Sequence, residues 1–410
     1  MHSKHLVVIG GGAAGFFCAV NAARLDTALK VTIVEKSNKL LSKVKVSGGG
    51  RCNVTHACFN IADIIKYYPR GQHFLKKAFH WFAAGSIVEW FGQRGVKLKT
   101  EPDGRMFPVT DNSQTIINCL LQEAAKYNVN ILLQTEITGI TTSTEGFILN
   151  NNNNDGIIQA DFVCIACGGY SKAIQFNWLK TLGHTVEEPV PSLFTFNMPG
   201  NAIIKLMGLS VQQALVKIAG TRLQQTGPLL ITHWGLSGPA VLKLSAWAAR
   251  DLAAREYKFS IIINWVPGFN EQEIRDEIVR MRSSSGAQKM ITKNDFGLPY
   301  RLWVYLLEQC GIGEETRWAD LPSKQQQKLI QTLTGQLLEV NGKTTFKEEF
   351  VTCGGIKLAE IDANTMQSKI VPRLFFAGEI MDVDGVTGGF NFQHAWTSGF
   401  IAAKTIAKMP

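Results

Sequence analysis

The limits of this sequence are set first by what it does not contain. No run of about 18 apolar residues occurs in its 410 positions, so no membrane span is predicted. There is no HExxH and no second Cys/His pair, so no metal site is expected. Charged residues make up only 18% of the chain, and the formal charge of +9 is not gathered into a Lys/Arg block with interleaved aromatics. The excess reads as solvated basic faces, and nucleic acid is not expected as a partner. No internal repeat is evident. The eight cysteines (Cys18, Cys52, Cys58, Cys119, Cys164, Cys167, Cys310, Cys353) are scattered, as expected for reduced thiols of a cytoplasmic protein rather than a disulfide frame. Cys164 and Cys167 form a CxxC inside the apolar run DFVCIACGG. A redox CxxC opens a helix, where the dipole lowers a thiol pKa, so this pair is read as structural. The opening LVVIGGGAAGFFCAV has the apolarity of a signal-peptide core, but its clustered glycines, the missing small-residue cleavage site and the run into VTIVEK argue against a leader.

What is present predicts a soluble α/β protein of two or three domains. HLVVI (His5–Ile9) reads as a strand, residues 14–25 as a helix and VTIVE (31–35) as a second strand, a βαβ opening that implies a parallel sheet. Residues 64–95 read as helical, with Trp81, Phe82, Val88, Trp90 and Phe91 as a packing stripe. A helix is expected near 114–127, followed by a β-rich stretch in which Asn150 to Asn154 suit a hairpin tip. From about Pro189 the segments SLFTFNM, LSVQQALVKI and KFSIIINWV look antiparallel, and residues 270–342 look polar and helical. Strand-and-glycine character returns near Phe350. The expected organisation is a Rossmann-like domain of residues 1–190 and 346–410, split by a β-rich insert (191–268) and a helical insert (269–345).

Gly10-Gly11-Gly12-Ala13-Ala14-Gly15 satisfies GxGxxG between the strand and the helix. The glycines there permit a tight turn, close approach of a pyrophosphate and close helix–strand packing, and the helix N-terminus favours phosphate. Glu35 ends the second strand, where a carboxylate accepts hydrogen bonds from ribose hydroxyls and repels a 2′-phosphate. VSGGGRCN (46–53) is not a P-loop, because no Lys-Ser/Thr follows its glycines. At the far end, AGEIMDVDGVTGGFN leads into a helix expected from Phe392 to Ala407. Gly388 and Gly389 bring backbone close to something, and a second helix N-terminus favours negative charge. A nicotinamide enzyme does not need that second site. FAD does: one helix end for the pyrophosphate, another for the flavin.

GGGAAG, VSGGGRCN, GRMFPVTDNS, GPLLITHWGLSGPAVLKLS and the long segment TCGGIKLAEIDANTMQSKIVPRLFFAGEIMDVDGVTGGFN resemble the bacterial flavoprotein family that includes aminoacetone oxidase and BaiN-type proteins. The resemblance covers most of the chain and is weakest at about 270–340. It implies FAD bound in a glutathione-reductase-type fold, with a β-barrel-like and a helical subdomain inserted, and an oxidoreductase activity. It further implies that Gly10, Gly12, Ala13, Ala14, Gly15, Glu35 and Lys36 hold the ADP half, with Ile137 meeting adenine through its backbone. Lys43 and Ser47, Gly48, Gly49, Gly50, Arg51, Cys52 and Asn53 would line pyrophosphate and flavin. Ala166, Cys167, Gly168 and Gly169 take the place of the family's Ala-Thr-Gly-Gly, with Cys167 where Thr is common. Gly378, Glu379, Asp384, Gly388, Gly389, Phe390, Asn391 and Phe392 would surround ribityl and isoalloxazine.

Candidates for chemistry are fewer. Arg51 suits a counter-charge for phosphate or reduced flavin. Cys52 lacks a nearby second cysteine and is read as a packing residue. Arg105 is a candidate for an anionic substrate, His233 and Trp234 for substrate contact from the insert, and His394 for proton donation. No catalytic base is assigned. A second GxGxxG unit is absent, so either NAD(P)H visits the flavin transiently or electrons pass from an organic substrate to dioxygen. The expected function is an FAD-dependent oxidoreductase of a small organic molecule, either amine oxidase or keto/enone reductase. The alternatives are a non-catalytic flavoprotein (a redox sensor or RNA-associated factor) and a nicotinamide-only dehydrogenase. The sequence does not set an oligomeric state.

Overall fold

The computed structural model describes residues 4–144, 146–152, 156–344 and 351–409. The βαβ opening forms as its periodicities require: β1 (His5–Ile9), α1 (Ala13–Leu25) and β2 (Lys30–Val34). The two strands pair in parallel with Leu6 opposite Val31, and on the other side β1 pairs in parallel with Phe162–Ile165. Leu374–Phe376 and Asn130–Leu132 complete a five-stranded parallel sheet, ordered Leu374–Phe376, Phe162–Ile165, β1, β2, Asn130–Leu132. Leu6, Val7, Val8, Val163 and Cys164 are fully buried, which is why these strands read as unbroken apolar runs: helices cover both faces of such a sheet.

The closing helix, Phe390–Ile406, packs along α1. Gly399 permits the approach, since a Cβ there would stand 2.6 Å from the carbonyl oxygen of Ala14. Aromatic rings fill the space around this pair, with Phe17 meeting Trp90 at 4.7 Å and Trp396 at 5.3 Å. The closing helix starts two residues before the expected Phe392, because Gly389 adopts φ +93 and ends the preceding loop abruptly.

Residues 64–95 are not one helical stretch but separate short helices, among them Gln72–Ala78 and Ala84–Gly92. Trp81 falls between these two and is exposed, so it leaves the expected stripe. Its indole donates to Asn364 Oδ1 at 3.2 Å, and Lys404 Nζ stands 4.3 Å from its ring centroid. Phe82, Trp90 and Phe91 are buried as expected. The asparagine run enters a hairpin in which Phe147–Asn151 pairs with Ile157–Ala160, and Asn153 and Asn154 lie outside the described residues.

The chain divides into two compact units, Met1–Ser192 with Phe346–Pro410, and Leu193–Thr345. The first unit also contains the antiparallel pair Val186–Ser192 and Val351–Ile356, the strands leading to and from the second.

The second unit is built on seven antiparallel strands, ordered Gln336–Asn341, Lys258–Asn264, Ser210–Ile218, Gln224–Ile231, Gly235–Ser237, Thr195–Asn197, Lys343–Thr344. The first and last of these are separated in the chain by Gly342 alone. Gly342 has φ +105; its N–H donates to the Tyr257 carbonyl at 2.8 Å, and its carbonyl accepts from Asn197 N at 3.0 Å. One bent strand therefore joins both ends of the sheet and closes a barrel. Alternate residues such as Val216, Ile218, Ile261, Ile263 and Leu338 fill it. This corrects the reading of 269–345 as a helical insert. Helices Glu271–Ser285, Tyr300–Gln309 and Ser323–Gly335 are present, but the segment ends in the barrel-closing strand, whose alternating burial is a period-2 signal.

Candidate functional site

The turn between β1 and α1 contains two kinds of glycine. At Gly10 (φ +115) a Cβ would stand 2.4 Å from the Ala166 carbonyl oxygen, and at Gly15 only 1.9 Å from the Gly10 oxygen. These two serve packing. A Cβ at Gly12, the N-cap of α1, would meet nothing within 4 Å. That open cradle lies at the start of α1, where Gly12, Ala13 and Ala14 carry N–H groups of the first turn. Beside it, Glu35 accepts from Gly11 N at 2.8 Å and Ser37 N at 2.9 Å, one bond to each oxygen. The carboxylate is thus fixed in orientation, with lone pairs to spare. Lys36, next in the chain, stands 5.9 Å from the Tyr170 ring centroid.

VSGGGRCN departs from helical geometry at Ser47, and Gly48, Gly49 and Gly50 follow with φ of +59, +69 and +84. Three successive left-handed residues are tolerable only as glycines. Beta carbons at Gly49 and Gly50 would meet nothing within 4 Å, so this backbone lines open space. The Arg51 guanidinium is committed to partners within the protein. It donates to Glu101 at 2.5 Å, lies 3.5 Å from Asp111 and rests 4.0 Å from the centroid of Phe107. Its hydrogen bond to Glu101 raises its pKa further, and the two carboxylates offset its charge. Cys52 is buried with φ +63, and burial pushes its thiol up to about 12, so it stays protonated and packs. With its amide oriented to satisfy both ends, Asn53 donates to the Thr55 carbonyl and accepts from Gly389 N, each at 3.0 Å. Trp396 Nε1 donates to the Val54 carbonyl at 2.9 Å. The glycine triplet and the distant Gly388–Gly389 turn, φ +130 and +93, are therefore joined directly.

The Gly388–Gly389 turn belongs to the segment from Gly378 to Phe392. Gly378 (φ +74) lies against Ala14, and its N–H donates to Ser398 Oγ at 2.8 Å. Glu379 accepts from Lys43 Nζ at 2.7 Å and from Thr352 N at 2.8 Å. Asp384 is fully buried; Arg70 Nε donates to it at 2.5 Å and Ser192 Oγ at 2.6 Å. Burial raises its pKa, opposed by Arg70 and the Ser192 hydrogen bond. Asn391 clips the turn by accepting from Gly385 N and donating to Gly385 O. Phe392 stacks on Trp396.

Phe390 carries a feature that sequence reading missed. Tyr67 stacks on it at 4.4 Å and His56 at 4.8 Å, while Tyr67 and His56 are 5.8 Å apart. Rings on opposite faces would be separated by about 7 Å, twice a van der Waals spacing. His56 and Tyr67 therefore lie side by side on one face of Phe390, and Tyr67 is 36% exposed.

The remaining candidates separate. Ala166 and Cys167 press their backbone on Gly10; Gly168 (φ +78) faces open space, and a Cβ at Gly169 would stand 2.4 Å from Thr352 Oγ1. Burial pushes the Cys167 thiol up to about 11, opposed by a hydrogen bond with Tyr170. The CxxC does not form a reactive pair: Cys164 is buried in its strand, and its thiol is raised by a bond with Cys18 and by burial. Ile137 opens the strand Ile137–Thr142. Arg105 pairs with Glu101 and Asp103, which offset its charge. His233 and Trp234 belong to the barrel unit, where Trp234 Nε1 donates to Thr195 Oγ1 at 3.0 Å. His394 is buried in the closing helix beside Gly378, and burial lowers its pKa to about 4. Arg70 and Ser192 had no sequence signal, since they meet Asp384 only through the fold.

Two buried polar atoms beside Gly378 and Glu379, His394 Nδ1 and Thr352 Oγ1, have no partner among the described residues. With the open space beside the backbone of Gly12, Gly49, Gly50 and Gly168, they fit a ligand that brings its own polar groups. A parallel Rossmann sheet, two glycine-lined helix ends and this cradle define the class as Rossmann-type FAD-binding flavoproteins. The chain belongs to the family described as the HI0933-like protein Rossmann domain, which matches residues 4–405. This is a family of FAD-dependent oxidoreductases.

It is similar to the 3-dehydro-bile acid delta(4,6)-reductase of Clostridium scindens, at 27% identity over 98% of this chain and 99% of that protein. It is also similar to the ribosomal RNA dihydrouridine synthase of Escherichia coli, at 30% identity over 98% of this chain and 97% of that one. In fold it resembles the 3-ketosteroid-delta4-(5alpha)-dehydrogenase of Rhodococcus jostii, with a TM-score of 0.53 at 13% identity, covering 100% of this chain and 98% of that one. Among the described residues no helix is long and apolar enough to cross a membrane, and no cluster of His, Cys, Asp and Glu could hold a metal ion.

Proposed function

We propose that this protein is an FAD-dependent reductase that saturates a carbon–carbon double bond conjugated to a carbonyl, with NAD(P)H as a transient reductant. The carrying observation is a chemistry common to the two curated relatives, both matched over nearly their whole length. A 3-oxo steroid unsaturated at C4 and C6, and the uracil ring that becomes dihydrouridine, each present an alkene polarised by a carbonyl. The flat Tyr67–His56 surface beside the Gly388–Gly389 turn suits a planar conjugated ring. The amine-oxidase reading draws no support from these relatives.

Bound FAD would supply hydride-transfer chemistry between a nicotinamide and the polarised alkene, with one NAD(P)H and one proton consumed for each double bond saturated. The chain's residues bind and orient. Gly12, Ala13 and Ala14 receive the pyrophosphate at the start of α1, and Glu35, held by Gly11 and Ser37, accepts from the ribose, with Ile137 backbone toward adenine. Gly49, Gly50 and Gly168 leave room for the cofactor chain. Lys43 and Glu379 neutralise each other at its side, and the turn from Asp384 to Phe392, clamped by Arg70 and Asn391, frames the ring end. Cys52 keeps its proton and packs.

A second reading has specific support: the reducible ring is a uracil of ribosomal RNA. The 30% identity to the Escherichia coli protein over nearly its whole length favours it. One experiment addresses both. Anaerobic protein is reduced with NADH or NADPH, then mixed with a 3-oxo-4-ene steroid acid or with unmodified ribosomal RNA, and flavin reoxidation is followed by absorbance. Mass spectrometry reads the gain of two hydrogens. Bleaching by amines alone, with reoxidation only by dioxygen, overturns the proposal.

A further inference from the structure

We propose that His394 is a binding residue for FAD, its Nδ1 accepting a hydrogen bond from a ribityl hydroxyl. His394 Nε2 lies 3.1 Å from the Gly378 carbonyl oxygen. A carbonyl can only accept, so Nε2 carries the ring proton and Nδ1 is a bare acceptor. The imidazole is 2% exposed, and Nδ1 has no partner among the described residues. A buried acceptor left unpaired carries a desolvation penalty, so its partner must be a donor that the folded chain does not itself supply.

The choice of donor follows from the chemistry of the cofactor. The pyrophosphate offers acceptors only and cannot satisfy Nδ1. The adenosine hydroxyls belong at Glu35, held by Gly11 and Ser37. Gly378, to which the imidazole is tied, packs on Ala14 at the start of α1. The same helix that carries His394 begins at Gly389, the ring end of the cradle. The part of FAD that spans from pyrophosphate to ring is the ribityl chain, and its hydroxyls are donors. Thr352 Oγ1, the other unpartnered buried atom, flanks Glu379 on the same stretch and offers a hydroxyl to the same chain. This inference replaces the expectation that His394 donates a proton: a ring protonated only at Nε2 and committed to Gly378 has none to give.

The inference rests on the cofactor placement proposed above, and the test separates the two. Apoprotein is titrated with FAD and flavin fluorescence is read for wild type, His394→Asn and His394→Gln. The Asn oxygen stands near the Nδ1 position and keeps the acceptor, whereas Gln reaches toward Gly378 and loses it. The expected result is binding within about threefold of wild type for His394→Asn and about tenfold weaker for His394→Gln, the scale of one lost hydrogen bond to a buried group. Wild-type protein is also titrated with FAD analogues lacking single ribityl hydroxyls, which needs no folded variant. One analogue is expected to lose affinity by a similar factor. If Gln binds like wild type and Asn does not, or if no deoxy analogue weakens binding, the role of Nδ1 is overturned. If wild-type apoprotein fails to bind FAD at all, the cradle assignment falls with it.

Discussion

Replacing Arg70 by alanine would strand a charge that the fold has taken entirely out of water. Asp384 is 0% exposed and the Arg70 side chain 12%, so little solvent remains to compensate when the guanidinium goes. The carboxylate would keep only the hydrogen bond from Ser192. Removing one partner of a buried ion pair costs about 3–5 kcal/mol. At about 2–4 °C per kcal/mol for a unit of this size, the apoprotein should unfold roughly 6–20 °C lower.

The pH dependence gives the sign. Burial raises the Asp384 pKa in the folded state, against the opposing pull of Arg70. An acid whose folded pKa lies above its unfolded value holds its proton more tightly when folded. Stability therefore falls as pH rises through the interval between the two. Loss of Arg70 raises the folded value further, so the deficit of the variant should be larger at pH 8 than at pH 5. The double variant Arg70→Ala/Asp384→Asn carries no stranded charge and should recover at least ~1 kcal/mol at pH 8. Thermal denaturation followed by circular dichroism, at both pH values, reads wild type, Arg70→Ala and the double variant. If the single and double variants unfold together at pH 8, or the deficit is the same at both pH values, the carboxylate is not the source of the penalty.

Two further outcomes are expected. Gly12→Val should leave the apoprotein within ~2 °C of wild type, since a Cβ there meets nothing, yet purify without visible flavin absorbance; Gly15→Ala, whose Cβ would enter the Gly10 carbonyl, should instead unfold several degrees lower. A flavin-loaded Gly12→Val would refute the cradle. His394, held at about 4 against an ordinary 6.5, binds its proton more weakly when folded, so apoprotein stability should fall as pH drops from 6.5 toward 4, by up to about 3 kcal/mol. Urea unfolding of His394→Asn should show a flatter slope across that window; an unchanged slope would assign it to other groups.

The parts of this protein readable in its sequence are those written in short-range periodicity and glycine. β1, α1 and β2 were legible because apolar strands, a GxGxxG and Glu35 fall within one βαβ unit. VSGGGRCN and GGFN were legible as sites where backbone meets something, and the structure joins them through Asn53 and Gly389. The arrangement of charges was not legible. Arg51 reads as a phosphate partner until the fold brings Glu101 and Asp111 to it. Arg70 and Asp384 are 314 residues apart, and no local pattern announces their bond. Trp81 reads as core because its neighbours are core, but a break between two short helices turns it outward. The barrel strand at Gln336–Asn341 hides behind a long helical segment, although its alternation is plain once sought.

The bend at Gly342 has a consequence for how the protein emerges from the ribosome. A barrel closed by its last strand cannot seal until that strand has been made, and only afterwards do Leu374–Phe376 and the closing helix appear. The parallel edge at Phe162–Ile165 must therefore wait for its neighbour while the whole barrel is synthesised, on the order of ten seconds or more at ordinary elongation rates. Throughout that interval half of the nucleotide fold exists with an unpaired edge and no closing helix over α1. Premature association at that edge is the hazard built into this chain order, and the barrel, once its last strand seals it, has no free edge of its own to add to it.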